Sequence, residues 1–383
     1  MISKKKAIIY GVIIALVTAI FTSTLQIAIG DRVVISKDMY NSYKRYNKML
    51  GLEGVIKEDF YQKTSDDNLV NGAIKGLFAG LDDPYSQYYT KEEFEKLKEQ
   101  TSGAFVGIGI IISPSTDDDY LTVVSPLEGS PAEKVGIKAG DKIIKVDGKA
   151  VYAKQSDEAV SMIKGKKGTD VELTLKRDGK EFDVKVKRDE IVSQTVDSKM
   201  LEDNIGYIKI TSFSENTYKD FKADLDKLKS EGIKGLVIDL RNNGGGLLTV
   251  CKDIADELIG EGTIVYTKDN KGNTEYLKSD KRKLDLPIAL LTNEGSASAS
   301  EILTGAVLDN KEGISVGTTT FGKGLVQSVR ELKDGTGYKL TTAQYFTPNG
   351  DYINGKGIKP TIEEKDEKNQ LNVAVDWMKK QIK

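Results

Sequence analysis

The chain has 383 residues, with 56 Lys plus Arg against 58 Asp plus Glu, a near-neutral balance that lacks the basic excess of a nucleic-acid binder. Hydrophobic residues at 39% and charged residues at 30% describe folded-domain chemistry, and the length suits two or three domains. Histidine is absent and cysteine occurs once, at Cys251, which removes every Ser-His-Asp and Cys-His mechanism, every His-ligated or thiolate metal site and any intrachain disulfide.

From Ala7 to Gly30 no charged residue occurs. A helix of that length spans about 36 Å, enough for a bilayer core of about 30 Å. Lys4, Lys5 and Lys6 precede the stretch and Asp31 is the first acid after it, so the positive flank should stay in the cytoplasm and the remainder outside. Residues 1–30 are expected to be a cytoplasmic stub and single-pass anchor in a bacterial cell membrane, with the catalytic part on the extracytoplasmic side. The alternative is a cleaved signal peptide; against it, the apolar run is long and no clear small-x-small site follows.

Residues 31–101 read as a helical, amphipathic N-terminal segment. In NLVNGAIKGLF (Asn68 to Phe78), Leu69, Ile74 and Leu77 fall near helical period. LDDPYSQYYT (Leu81 to Thr90) is a turn cluster, and KEEFEKLKEQ (Lys91 to Gln100) a charged helix with a solvated face. No chemistry is expected here; a dimer or docking role is open to it.

Residues 102–190 read as a small β-rich module. Pro131 opens a short helix that Gly136 and Gly140 end. Lys142 to Val146 is a strand turning at Asp147-Gly148, and Asp170 to Asp189 an alternating hairpin with Asp178-Gly179 at its turn. GIGI (Gly107 to Ile110) followed by SPAEKVGIKAGDKIIKVDG (Ser130 to Gly148) resembles a PDZ domain. That resemblance implies that Gly107, Ile108, Gly109 and Ile110 form a carboxylate-binding loop, and that an extended peptide adds a strand to an open sheet edge. The plainer reading is a β-barrel module that packs on its neighbour without a ligand.

Residues 191–383 alternate strand and helix, the pattern of a layered α/β core. Strands are expected at Ile205 to Phe213, Gly235 to Asn243, Pro287 to Asn293 and from Gly313. Helices are expected at Tyr218 to Gly232, after Gly245, at Ser298 to Asn310 and from Gln370. In such sheets sites gather where strands end and helices begin. Two junctions stand out. DLRNNGGGLL (Asp239 to Leu248) frees backbone N–H groups through its glycines. NEGSASASEI (Asn293 to Ile302) crowds serines among small residues. Ser298 and Glu301 fit an S-x-x-E capping box, so Ser298 is either a helix cap alone or a hydroxyl beside unpaired N–H donors able to hold an oxyanion. Without His, a serine nucleophile needs another base, and a desolvated lysine serves. Lys323 in TTFGKGLVQS (Thr319 to Ser328) is flanked by Gly322, Gly324, Phe321 and Leu325. Gln327 would lie roughly 13 Å from it along an extended strand, so the two meet only if Gly324 bends the chain or the lysine stem folds back.

NEGSASASEI, the lysine of FGKGLVQ twenty-five residues after Ser298, DLRNNGGGLL and the upstream PDZ-like module together resemble the C-terminal processing peptidases, or tail-specific proteases. The similarity extends through LDDPYSQYYT. It implies a crotonase- or ClpP-like core, Ser298 as nucleophile, Lys323 as general base and Gln327 as the group that orients the lysine. It also implies an oxyanion hole from the Ala299 N–H and a glycine in Gly244–Gly245, no metal and no cofactor. The substrate would be a protein or peptide with a free C-terminus; family members sometimes need an activating partner, and an empty PDZ domain can block the site. The competing expectations are a membrane-tethered PDZ scaffold with an inactive hydrolase domain, and a crotonase-like enzyme of thioesters.

Overall fold

The computed structural model describes residues 3–24, 28, 29, 32, 33, 35–115 and 118–382, with side chains except at 20–24, 28, 29, 32 and 33. It divides into a helical part through Leu77 and a larger body from Phe78 onward.

In the first part, a helix at Lys4–Thr24 covers most of the uncharged stretch. Its apolar side chains Ile8, Ile9, Ile14 and Leu16 are more than half exposed. Among the described residues no helix is long and apolar enough to cross a membrane, so the expected span finds no support there; residues 25–27 and 30, its expected end, lie outside them. The helix Lys37–Asp59 starts at Ser36, whose Oγ accepts the Met39 N–H at 3.2 Å, and it buries none of its residues.

The larger body begins its β structure with the module anticipated near 102–190. Its main sheet runs in the order Lys180–Lys187, Asp170–Arg177, Lys142–Val146, Leu121–Pro126, Ile110–Pro114. Leu121, Val123, Ile143, Val146, Leu173 and Leu175 face inward and fill one core. Ile110–Pro114 is the open edge strand. A short ribbon, Ala104–Gly107 against Asp189–Val192, closes the module.

The α/β core carries a six-stranded sheet in the order Val196–Met200, Ile205–Ile210, Gly235–Asp239, Ile288–Thr292, Gly313–Gly317, Ile362–Glu363. All neighbours pair in parallel except the antiparallel first strand. Gly235–Asp239 and Ile288–Thr292 are buried throughout, because helices cover both faces. Thr217–Ser230, Leu248–Leu258 and Ala299–Asp309 pack one core, and Glu367–Gln381 packs the other. The two central strands are adjacent and parallel, so the glycine-rich and serine-rich junctions leave the sheet side by side.

A second sheet was not distinguished by the sequence. It runs Thr274–Ser279, Gly262–Asp269, Gly337–Phe346, Leu325–Glu331, all antiparallel. Gln87–Tyr89 pairs with Gly337–Lys339 as a further strand. The segment up to residue 101 thus holds, besides the helices and the turn read from the sequence, a strand built into a sheet of the larger body.

Candidate active site

Ser298 sits between a buried strand and a buried helix with φ 54° and ψ −111°. That left-handed backbone is unfavourable for a residue with a side chain, and it persists only where surroundings impose it. The surroundings are cross-braces between the two junctions. Asn243, fully buried, accepts the Ala297 N–H and the Ser300 hydroxyl on its carbonyl at 3.0 and 2.9 Å, while its Nδ2 donates to Ile210 O at 2.9 Å. Asn293 accepts the Asn242 N–H at 2.9 Å and donates to Asn242 Oδ1 and Glu367 Oε1, both at 3.0 Å. Asp239 anchors the base of the glycine loop: it pairs with Arg241 at 2.6 Å and accepts the Tyr207 hydroxyl at 2.8 Å.

Gly245, with φ 101°, lies against this turn; a Cβ there would stand 2.8 Å from Ala297 O and 2.9 Å from Ser298 Cβ. Its N–H donates to Asn243 Oδ1 at 2.9 Å. A Cβ on Gly244 would meet nothing within 4 Å, and Gly244 lines the cavity in front of Ser298. Gly245→Ala is therefore expected to lower stability by about 1–3 kcal/mol through overpacking and strain and to cut turnover, whereas Gly244→Ala should keep the wild-type melting temperature. Thermal denaturation of both variants checks this; equal melting temperatures would refute it.

Glu301 joins the serine turn to the lysine loop. Its fully buried carboxylate accepts four hydrogen bonds: Ser298 N–H at 2.9 Å, Thr320 hydroxyl at 2.6 Å, Gly322 N–H at 2.7 Å and Lys323 N–H at 2.9 Å. The helix cap read from the sequence is thus one arm of a larger brace. Tyr345, nearly fully buried, donates its hydroxyl to Ser298 O at 3.3 Å, and burial holds that phenol neutral well above its usual range.

Ser298, Ala299, Gly244, Lys323 and Gln327 line one cavity of about 310 Å³, whose walls include Phe213, Leu247, Ile302 and Tyr345. Gln327 reaches it because the strand bulges between Val326 and Gln327. Its Nε2 donates to Leu325 O and Thr341 Oγ1, both at 3.3 Å. Among the described residues Lys323 Nζ makes no hydrogen bond to Ser298 or Gln327; it lies 4.5 Å from the centroid of the Tyr85 ring. Burial, and secondarily the nearby Lys339, lower the Lys323 pKa, against the opposing pull of Asp83 and Glu301. Phe321, an apolar chain neighbour of the lysine, is 57% exposed; it is not what withdraws the amine from water.

In the β module, Gly109 turns the Gly107–Ile110 loop at φ 74°. The carbonyls of Ile108 and Gly109 accept the Ala132 and Leu127 N–H groups, both at 2.9 Å, which docks the loop on the Pro131–Lys134 helix. Ile108 is buried, and Ile110 starts the open edge strand. Among the described residues no cluster of acidic or thiol side chains could hold a metal, and Cys251 is buried with its thiol against Ala299 O.

Residues 204–364 match Peptidase family S41, residues 106–187 match the PDZ domain, and residues 25–93 match the activating protease CtpB N-terminal domain. Carboxy-terminal processing protease CtpA of Bacillus subtilis (strain 168) is 42% identical over 355 residues, which cover 91% of this chain and 76% of that protein. A Staphylococcus aureus (strain N315) protein named "Probable CtpA-like serine protease" is 40% identical over 351 residues, covering 91% of this chain and 70% of that one. Among solved structures, the photosystem II D1 C-terminal processing protease superposes with a TM-score of 0.51 at 28% identity, covering 87% of this chain and 94% of the other.

Proposed function

From the premise that this chain belongs to the C-terminal processing serine peptidases of family S41 and carries a PDZ domain, we propose that Ser298 is its nucleophile and Lys323 its general base. Neutral Lys323 takes the Ser298 proton, Oγ attacks a peptide carbonyl, and the same amine, now protonated, supplies the proton to the departing amine. Water then releases the acyl group with Lys323 again as base. Gln327, held by Thr341 and placed by the bulge, faces the same cavity and orients the lysine as it approaches.

The oxyanion is assigned to the N–H groups of Ala299 and Gly244. Gly245 is the weaker candidate because its N–H is already given to Asn243. The observation that carries the reading is the Ser298 backbone, forced into a left-handed turn at the floor of a cavity that Lys323 also lines. Mass spectrometry of products from an unstructured, tailed protein substrate tests it. Wild type should give discrete cleavage and Ser298→Ala none; cleavage by the alanine form would refute the assignment. The inactive-scaffold and thioester readings yield to membership of a serine peptidase family.

The PDZ domain fits capture of a substrate C-terminus. Gly107, Ile108, Gly109 and Ile110 would receive the carboxylate, and Ile110–Pro114 would pair with the extended tail as the next strand. The domain similar to the CtpB N-terminal region fits an activating partner. The helix Lys37–Asp59 leaves Tyr43, Tyr46, Met49 and Leu52 exposed, which supports a second copy as occupant of that face, a homodimer testable by light scattering. For location, the uncharged stretch behind Lys4–Lys6 supports a single bacterial membrane anchor with the peptidase outside the cytoplasm; recovery of the full chain in the soluble fraction would refute it.

A further inference from the structure

Lys323 is half-buried, yet among the described residues its ammonium has neither a hydrogen bond nor an ion pair. A cation withdrawn from water needs another source of stabilisation. The Tyr85 ring, with its centroid 4.5 Å from Nζ, lies well within the range over which an aromatic face attracts a cation.

Tyr85 is held there by a built turn. Asp83 accepts the Tyr85 N–H at 3.1 Å and the Ser86 hydroxyl at 2.5 Å. Ser86 Oγ in turn accepts the Thr341 N–H at 2.9 Å, and Gln87–Tyr89 pairs with Gly337–Lys339. Thr341 is also the residue that holds Gln327. One strand therefore fixes both the aromatic ring and the amide around the lysine. The charged groups facing the amine are Lys339, which repels the ammonium, and Asp83 and Glu301, which attract it; Lys339 itself lies over Tyr89, 5.9 Å from its centroid.

A ring quadrupole attracts an ammonium and has no comparable hold on a neutral amine. Loss of the proton thus loosens the contact at the step where the amine becomes a base. We infer that Tyr85 is a positioning residue for Lys323: its ring is the resting place of the ammonium on the cavity wall, from which the neutral amine is released toward Ser298. This rests on Lys323 being the base.

The test uses the full chain. Tyr85→Phe keeps the aromatic face; Tyr85→Leu keeps apolar bulk without it, and Tyr85→Met replaces the leucine form if that one misfolds. In the leucine form the midpoint of the kcat/KM pH profile should fall by about 0.4–0.7 unit, a two- to fivefold loss of proton affinity. The phenylalanine form should stay at the wild-type midpoint. Acetylation of Lys323 by dilute acetic anhydride, followed by mass spectrometry against pH in a Ser298→Ala background, should show the same shift without requiring activity. Coincident labelling midpoints with and without Tyr85→Leu in that background would overturn the inference. So would lower activity with an unmoved midpoint, which marks a merely structural tyrosine. Survival of cleavage in Lys323→Ala would instead sink the base assignment, and the labelling curves report on the ring contact either way.

Discussion

Lys323→Met is expected to lower kcat/KM by about 10²–10⁴, the range for loss of a positioned general base, while the variant melts at a higher temperature than wild type at neutral pH. The two effects share one cause. The amine is withdrawn from water, which disfavours its charged form and places its pKa below the ordinary lysine value of 10.5. Only the neutral amine can accept the serine proton, so kcat/KM should rise with pH through that lowered value. For stability the sign follows from proton counting. Between the folded-state pKa and 10.5 the unfolded chain binds more protons than the folded one, so stability increases with pH across that window. Below the window the protein carries a fixed penalty for a half-buried ammonium, and methionine, of similar length and apolar, removes it. A rate profile governed by a group near pH 4 would point to a carboxylate base. Glu301 is the carboxylate at hand, but its two oxygens already accept four donors and have little capacity left for the Ser298 proton. A methionine variant that still cleaves would remove Lys323 from the mechanism.

What the sequence made legible was the part of the candidate site that lies close along the chain or is carried by the motifs of the resemblance. The absence of histidine left Ser, Thr, Lys or a carboxylate for any covalent chemistry, the pairing of Ser298 with Lys323 came from the resemblance to the C-terminal processing peptidases, and the strand-to-helix junctions at Asp239–Leu248 and Asn293–Ile302 announced themselves through glycine and small residues after apolar strands. The parallel strands and their helices follow from hydrophobic runs bounded by turns. The second sheet did not, because its strands at Gly262–Asp269, Leu325–Glu331 and Gly337–Phe346 mix charged, polar and apolar residues without clean alternation. The turn around Tyr85 was read from Leu81 to Thr90, but its attachment to the core was not, for a different reason. That attachment, Ser86 to Thr341, spans 255 residues, and no local period encodes such a contact. The bulge at Gln327, which lines the same cavity as Lys323, is likewise a property of strand pairing and has no single-residue signal. Glu301 was half-visible: the spacing from Ser298 gave the cap, but the donors from Thr320, Gly322 and Lys323 arrive from another element. A buried acid in an otherwise apolar helix, EILTGAV, was the available clue, since carboxylates are seldom buried without several partners.

Glu301→Gln should be nearly as damaging as loss of the base, though Glu301 need not touch the substrate. The amide is isosteric, but one of its two ends carries N–H donors where the carboxylate offered only acceptors. Of the four donors now satisfied, those facing the amide nitrogen lose their partner and meet another donor. Hydrogen bonds to a charged group contribute about 1.5–3 kcal/mol each, and a buried group left unpaired costs about 1–3 kcal/mol. A destabilisation of about 3 kcal/mol or more is therefore expected, large against the stability of an ordinary domain. The catalytic effect follows from what the four bonds hold. Ser298 N–H and Lys323 N–H converge on the same carboxylate oxygen, so that single atom sets the distance between the nucleophile turn and the lysine loop. A misplacement of about 1 Å costs on the order of 10² in rate. The loss should appear in kcat with KM little changed, because the PDZ domain proposed to hold the substrate tail is not part of this brace. Glu301→Asp, which keeps the charge but shortens the reach, should regain part of the stability and little of the rate. Denaturant unfolding and steady-state kinetics on both variants decide it: full activity in Glu301→Gln, or a rise in KM alone, would show that the brace does not set the geometry of the pair.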